Sequence, residues 1–174
     1  ADHYKVPRLA FVNKMDRVGA DFQKVVTSIR ERLGANGVPV QLPIGSEDGF
    51  QGVIDLLEMR AYLFDEESLG ATFRSESIPP ELESEAEAAR ERLIEALADF
   101  DDEVAEAYLE GIEPSAEILR RAVRKGTLSV EMVPVFCGSA LGNKGIQPLL
   151  DGIVNFLPSP LDLPAVEGTI PGRE

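Results

Sequence analysis

A chain of 174 residues, 44% hydrophobic and 28% charged, suits one domain or two small ones around a buried core, and no stretch approaches the ~20 apolar residues of a membrane span. A single cysteine, Cys137, excludes an internal disulfide and, with no basic-then-apolar leader, leads us to expect a reducing cytoplasm. The net charge of −14 is uneven: residues 76–117 hold fifteen of the 31 acidic residues and two of the 17 basic ones, which disfavours nucleic-acid binding there and suggests a face for a basic partner.

Leu9-Ala10-Phe11-Val12 is a short apolar run after Pro7 and reads as a buried strand. Asn13 to Gly19 is polar and turn-like. Asp21 is a good N-cap for a helix through Leu33, with Val25, Val26, Ile29 and Leu33 on one face and Gly34 as its stop. Val38 to Ile44 reads as extended. Gly52 to Phe64 favours strand, with Leu57, Met59, Ala61 and Leu63 alternating, which suggests an antiparallel ribbon. Leu82, Ala86, Ala89, Leu93, Leu97 and Phe100 follow helical spacing. Asp101 or Asp102 caps a second helix through Leu109. Pro114 and Ser115 open a third that carries Ile118, Leu119, Ala122 and Val123 and stops near Gly126. Val133 to Cys137 is strand-like. A last helix from about Lys144 to Leu157 places Ile146, Leu149, Leu150, Ile153, Val154 and Leu157 on its apolar side, and Pro158 and Pro160 end it.

The pattern describes an α/β domain at 1–37 and 131–158, interrupted by an α+β insertion at 38–130, with a linker at 159–174. Each outer segment puts a polar loop after a strand, the edge where open α/β sheets bind ligands. The first loop, Asn13-Lys14-Met15-Asp16, has the form N-K-x-D. Its carboxylate can accept from the adjacent N1 and N2 donors of guanine, a pair that adenine lacks. The Lys14 stem can cover the ring, and Asn13 can reach N7 or brace neighbouring loops. In the second loop, Gly138-Ser139-Ala140, a small residue lets the Ala140 N–H approach O6, and Ser139 can orient Asp16. Alone, each loop also reads as an ordinary turn. Together, in this order and each between strand and helix, they are far more specific.

The run Val6-Pro7-Arg8-Leu9-Ala10-Phe11-Val12-Asn13-Lys14-Met15-Asp16 resembles the fourth G motif of elongation factor G and its strand. Gln41-Leu42-Pro43-Ile44-Gly45 with Phe50-Gln51-Gly52-Val53-Ile54-Asp55 is similar to the opening of that family's insertion. Phe136-Cys137-Gly138-Ser139-Ala140 with Asn143-Lys144-Gly145-Ile146 resembles the fifth G motif. The resemblance covers nearly the whole chain. It implies part of a P-loop-GTPase G domain that serves ribosomal translocation in the cytoplasm, with Asn13, Lys14, Met15, Asp16, Ser139, Ala140 and Leu141 at the guanine of GTP or GDP. No G-x-x-x-x-G-K-[S/T] loop occurs in these residues. The phosphate and Mg²⁺ sites, and with them hydrolysis, are therefore expected elsewhere in a longer parent, and no catalytic or metal-binding residue is assigned here. His3 reads as an exposed residue near a terminus.

The resemblance also implies that the acidic insertion docks the C-terminal domain of the ribosomal stalk protein. Glu83, Glu87, Glu91 and Glu95 lie off the apolar stripe, and their like-charge i,i+4 spacings are mildly unfavourable. Readings that stay open are a plain solvated face, an interaction module without nucleotide binding, and a sister translational GTPase or elongation factor G paralogue. Cys137 reads as core packing. A cut G domain is expected to bare a sheet edge and apolar helix faces and to self-associate as an artefact.

Overall fold

The computed structural model of the chain describes residues 2–65, 70 and 72–162. It is a mixed α/β fold with two sheets. A three-stranded parallel sheet has β7 (Val133–Cys137) at its centre, flanked by β1 (Ala10–Val12) and β2 (Gly37–Pro39). A four-stranded antiparallel sheet runs in the order β3 (Gln41–Ile44), β4 (Gly52–Asp55), β5 (Arg60–Phe64), β6 (Phe73–Glu76). The chain passes from one sheet to the other at Val40, whose N–H donates to Val135 O and whose carbonyl accepts from Leu56 N–H. The extended run expected over Val38 to Ile44 is thus two strands in two sheets. The run is apolar on both sides of Gln41, so hydrophobicity alone did not divide it. The alternation through Leu57 and Met59 is not strand: residues 56–59 are the turn between β4 and β5, held by the Asp55 side chain accepting from the N–H groups of Leu57 (2.7 Å) and Glu58 (3.0 Å).

The helices capped by Asp21, Asp101 and Ser115 begin where those caps predict. Helix α1 (Phe22–Leu33) starts on Asp21, which accepts from Lys24 N–H at 2.9 Å, and ends on left-handed Gly34. Such a cap contributes about 1 kcal/mol. Helix α2 (Pro80–Ala98) buries Ala86, Ala89, Leu93 and Leu97, as the spacing indicates, together with Ile94 and Arg90. Asp101 caps α3 (Asp102–Glu110) and Ser115 caps α4 (Ala116–Leu128). Gly126 does not end α4. The helix runs two residues further, and Gly126 serves close packing, since an added Cβ would meet the Phe100 ring at 3.0 Å.

Two stripes read from periodicity face outward in part. On α1 the buried residues are Phe22 and Val26, while Val25 and Leu33 are exposed. On α5 (Ile146–Phe156) the inward face is Pro148, Gly152 and Phe156, and Leu150, Ile153 and Val154 are exposed, Val154 at 78%. Among the described residues, β1 pairs on its β7 side only. A continuous apolar core joins both sheets to α2 and α4. Of the linker expected at 159–174, residues 163–174 lie outside the described residues. Pro160–Asp162 forms a short turn tied to Arg124 through Asp162 at 2.7 Å. Among the described residues, no helix is long and apolar enough to cross a membrane.

Candidate functional site

Parallel pairing of β1 with β7 brings Val12 opposite Cys137, so the chain leaves both strands at the same edge. The two polar loops identified from sequence therefore meet, although 127 positions separate Asn13 from Ala140. Their junction is a web of hydrogen bonds. Gly138 N–H donates to Val12 O (3.0 Å), and Met15 N–H donates to Gly138 O (3.1 Å). Asn13 Oδ1 accepts from its neighbour Lys14 N–H (2.8 Å) and from Ala140 N–H (3.0 Å). One side-chain oxygen thus clips the second loop to the first.

That clip changes the expected division of labour. The Ala140 N–H, expected to face a ligand, is taken by Asn13, so Asn13 is the brace between loops. Ser139 Oγ, expected to orient Asp16, instead accepts from Gly142 N–H at 3.4 Å, which folds the second loop back on itself. Ser139 is buried, whereas Ala140 and Leu141 are exposed. No donor among the described residues reaches the half-buried Asp16 carboxylate. Lys14 is exposed and holds a positive φ of 67°, a conformation that non-glycine residues occupy mainly where surroundings enforce it. Met15 is buried in the core and pins the first loop from below, which leaves its neighbours Lys14 and Asp16 directed away from the core.

Several supporting residues were not singled out from sequence. Lys144 exchanges backbone bonds with Ser139 in both directions (2.8 and 3.0 Å), and its Nζ donates to Phe50 O at 2.9 Å. Glu47 N–H donates to Met15 O (2.8 Å), and its carboxylate accepts from Gly19 N–H (2.7 Å). The antiparallel segment therefore props both loops. Gly145 has a φ of 86°, and a Cβ there would lie 2.5 Å from Cys137 O, so glycine is required for the turn into α5. The conjunction of Gly145 with the start of an apolar helix was the available signal for this turn. Lys144 stood in the run Asn143-Lys144-Gly145-Ile146, but its bond to Phe50 O and the bonds of Glu47 to Met15 and Gly19 gave no signal, because those partners are remote in sequence.

Cys137 is fully buried, and burial pushes its thiol above its ordinary range, consistent with packing and not reactivity. His3 is exposed and packs edge-on against Tyr4 with ring centres 4.7 Å apart. Among the described residues, no group of three or more His, Cys, Asp or Glu converges on a metal position.

The acidic residues singled out on α2 all face outward: Glu83, Glu87, Glu91 and Glu95 are exposed. Glu87 and Glu91 border a groove of about 620 Å³ whose apolar lining includes Met59, Ile94, Tyr108 and Ile112. Glu83 and Glu87 border a smaller neighbouring hollow. Arg90 also lines the groove. It is buried and donates to Leu56 O (2.5 Å), Leu57 O (3.0 Å) and Pro114 O (3.3 Å), and its Nε makes an ion pair with Glu113 at 2.7 Å that is not aligned as a hydrogen bond. This one side chain ties α2 to the β4–β5 turn and to the α3–α4 connection.

Residues 1–159 match the family described as the elongation factor Tu GTP-binding domain. A crystal structure of a protein from Thermus thermophilus is similar over 93% of this chain, with a TM-score of 0.78 and 30% sequence identity. The chain spans 24% of the length of that protein.

Proposed function

The chain belongs to the elongation factor Tu GTP-binding domain family, and from that premise we propose that its two joined loops read the guanine base of GTP or GDP. The observation that carries this reading is the Asn13 clip to Ala140, which fixes two sequence-remote loops in one rigid edge while the Asp16 carboxylate has no donor from the described residues. A carboxylate so placed accepts from guanine N1 and N2, at roughly 1.5–3 kcal/mol for each charge-assisted bond. Adenine offers no such pair and would leave the acid unmatched. Asn13 uses its oxygen within the protein, so its two amide N–H groups are what it can offer to N7. The Lys14 stem, lifted by its positive φ, covers the ring face. Ser139, Ala140 and Leu141 close the other side through backbone and shape.

In the parent we place this edge in elongation factor G or a close relative, a ribosome-bound GTPase of translocation working in the cytoplasm. The P-loop and Mg²⁺ supply the phosphate chemistry from residues other than these. The chain itself then selects guanine weakly and does not hydrolyse GTP. Isotope-edited NMR titrations with guanosine, GDP and ADP test this. Shifts at residues 13–16 and 139–141 with guanosine and GDP, absent with ADP and lost in Asp16→Ala, are expected. Equal responses to ADP would overturn the base assignment, and sub-micromolar GDP binding would overturn the placement of the phosphate site.

The acid-bordered groove favours a second role for the same chain. Its apolar lining and the carboxylates of Glu87 and Glu91 suit a basic amphipathic helix, the chemistry expected of the ribosomal stalk protein's C-terminal domain. Glu83 and Glu95 extend the same charged face. A pull-down at low and high salt tests it: binding should weaken with salt and with Glu87→Lys plus Glu91→Lys, and indifference to both rejects electrostatic docking.

A further inference from the structure

Apart from the loops and the groove, a cavity of about 160 Å³ lies between α5 and the antiparallel sheet. A cavity near 150 Å³ accommodates a molecule of about six heavy atoms. Its inner side is set by Gln41 and Asp55, which stand directly opposite each other on β3 and β4, and by the rings of Phe136 and Phe156. Asp151 and Asn155, one turn apart on α5, form its exposed rim with Tyr62 and Arg120.

Two groups inside lack partners. Gln41 is only 1% exposed; its Oε1 accepts from Cys137 N–H at 3.4 Å, and its amide nitrogen finds no acceptor among the described residues. Asp55 Oδ1 accepts from the Leu57 and Glu58 N–H groups, while Oδ2 receives no donor among the described residues. Nor does a neighbouring cation complete an ion pair with it. Arg120 on α4 is paired with Glu58, and Arg90 on α2 with Glu113 and three carbonyls. Arg60, its register partner on β5, turns to Ser75. The remaining charged group around the cavity is Asp151, an acid.

The cavity lining carries two carboxylates, Asp55 and Asp151, and a polyatomic cation can span them. We propose that this cavity binds a small protonated amine carrying an oxygen acceptor, of amino-alcohol size, with its ammonium shared by Asp55 and Asp151 and its oxygen facing the Gln41 amide. The ammonium brings three donors to oxygen atoms that lack them, and the rings of Phe136 and Tyr62 favour a cation. A water can satisfy Gln41 but brings no positive charge into contact with Asp55. The reading is independent of the guanine site, which lies on another part of the sheet edge.

Ethanolamine and serinol, as chlorides, are suitable probes, with KCl at equal ionic strength as the control. Saturable amide shifts are expected at positions 41, 55, 151 and 155 at pH 7.5, with none at 13–16. Burial raises the Asp55 pKa to about 6, so the affinity should fall about tenfold at pH 5, where roughly one carboxyl in ten is ionised. Asp55→Asn should abolish saturation while far-UV circular dichroism is unchanged. Asp151→Asn, at an exposed position, should weaken binding several-fold and keeps the test valid if Asp55→Asn misfolds. Shifts no larger than with KCl, or the same response in Asp151→Asn, would overturn the proposal.

Discussion

Replacing Asp55 by Asn is expected to stabilise the protein at neutral pH and to leave it unchanged in acid. Burial raises the Asp55 pKa from 3.8 to about 6, against the opposing pull of the Leu57 N–H bond and of Arg120 and Arg90. The sign follows from linkage. The full contribution of the protonated acid is present below about pH 3.8. As pH rises, the unfolded chain releases its proton first, and stability declines until the folded group also ionises near pH 6. The separation of about two units corresponds to roughly 3 kcal/mol at 1.36 kcal/mol per unit, an upper figure because a compact denatured state also shields the group. Asn keeps the oxygen that accepts from Leu57 and Glu58 N–H and cannot ionise. Urea unfolding followed by far-UV circular dichroism from pH 4 to 8 should show the two proteins converging at pH 4 and diverging by about 1–3 kcal/mol at pH 7.5. Parallel profiles across the range would refute the claim that a charged Asp55 is held without adequate solvation.

Arg90→Met should destabilise by about 3–5 kcal/mol, because it orphans three carbonyls bonded to the buried guanidinium; thermal unfolding checks this, and a change below about 1 kcal/mol would mean that water replaces the guanidinium. Gly145→Ala should cost about 1–3 kcal/mol through its positive φ and its contact with Cys137 O, and should shift the amide resonances of Ser139 and Lys144. Cys137 should resist a thiol reagent in the folded state and react on unfolding, since it is fully buried; prompt labelling of native protein would contradict the packing. The β1 edge, unpaired among the described residues, and the exposed apolar residues of α5 predict self-association at high concentration, which light scattering would expose, and a monomer at millimolar concentration would count against it.

Much of the fold was legible because it is written locally. Asp21, Asp101 and Ser115 cap the helices they were expected to cap, and the α2 stripe follows from spacing alone. Both polar loops could be found from the strands that precede them. What resisted reading depends on partners remote in sequence. Periodicity marks the apolar residues of α5 but cannot say which side is covered, and close packing of Gly152 against Phe136 puts Pro148, Gly152 and Phe156 inward instead of Ile153 and Val154. Val38 and Leu42 look alike in sequence, yet they lie in different sheets because only Gly37–Pro39 pairs with β7. Arg90 was invisible as a core residue, since its acceptors are backbone carbonyls on two other segments. Within the candidate site, residue types marked the loops, but the bond from Ala140 to Asn13 depended on their exact meeting.

The central strand of the parallel sheet is also its last in sequence: β7 pairs with β1 and β2 only after the whole of the inserted segment has intervened. The antiparallel sheet and the three helices between them close over shorter distances, so entropy lets them organise while β1 and β2 wait for a neighbour. During synthesis the two loops are strangers until residue 137 has emerged and slotted between the earlier strands. Assembly of the candidate site and closure of the parallel sheet thus coincide in time, and a ligand held by both loops would report on newly made chains whose parallel sheet has closed.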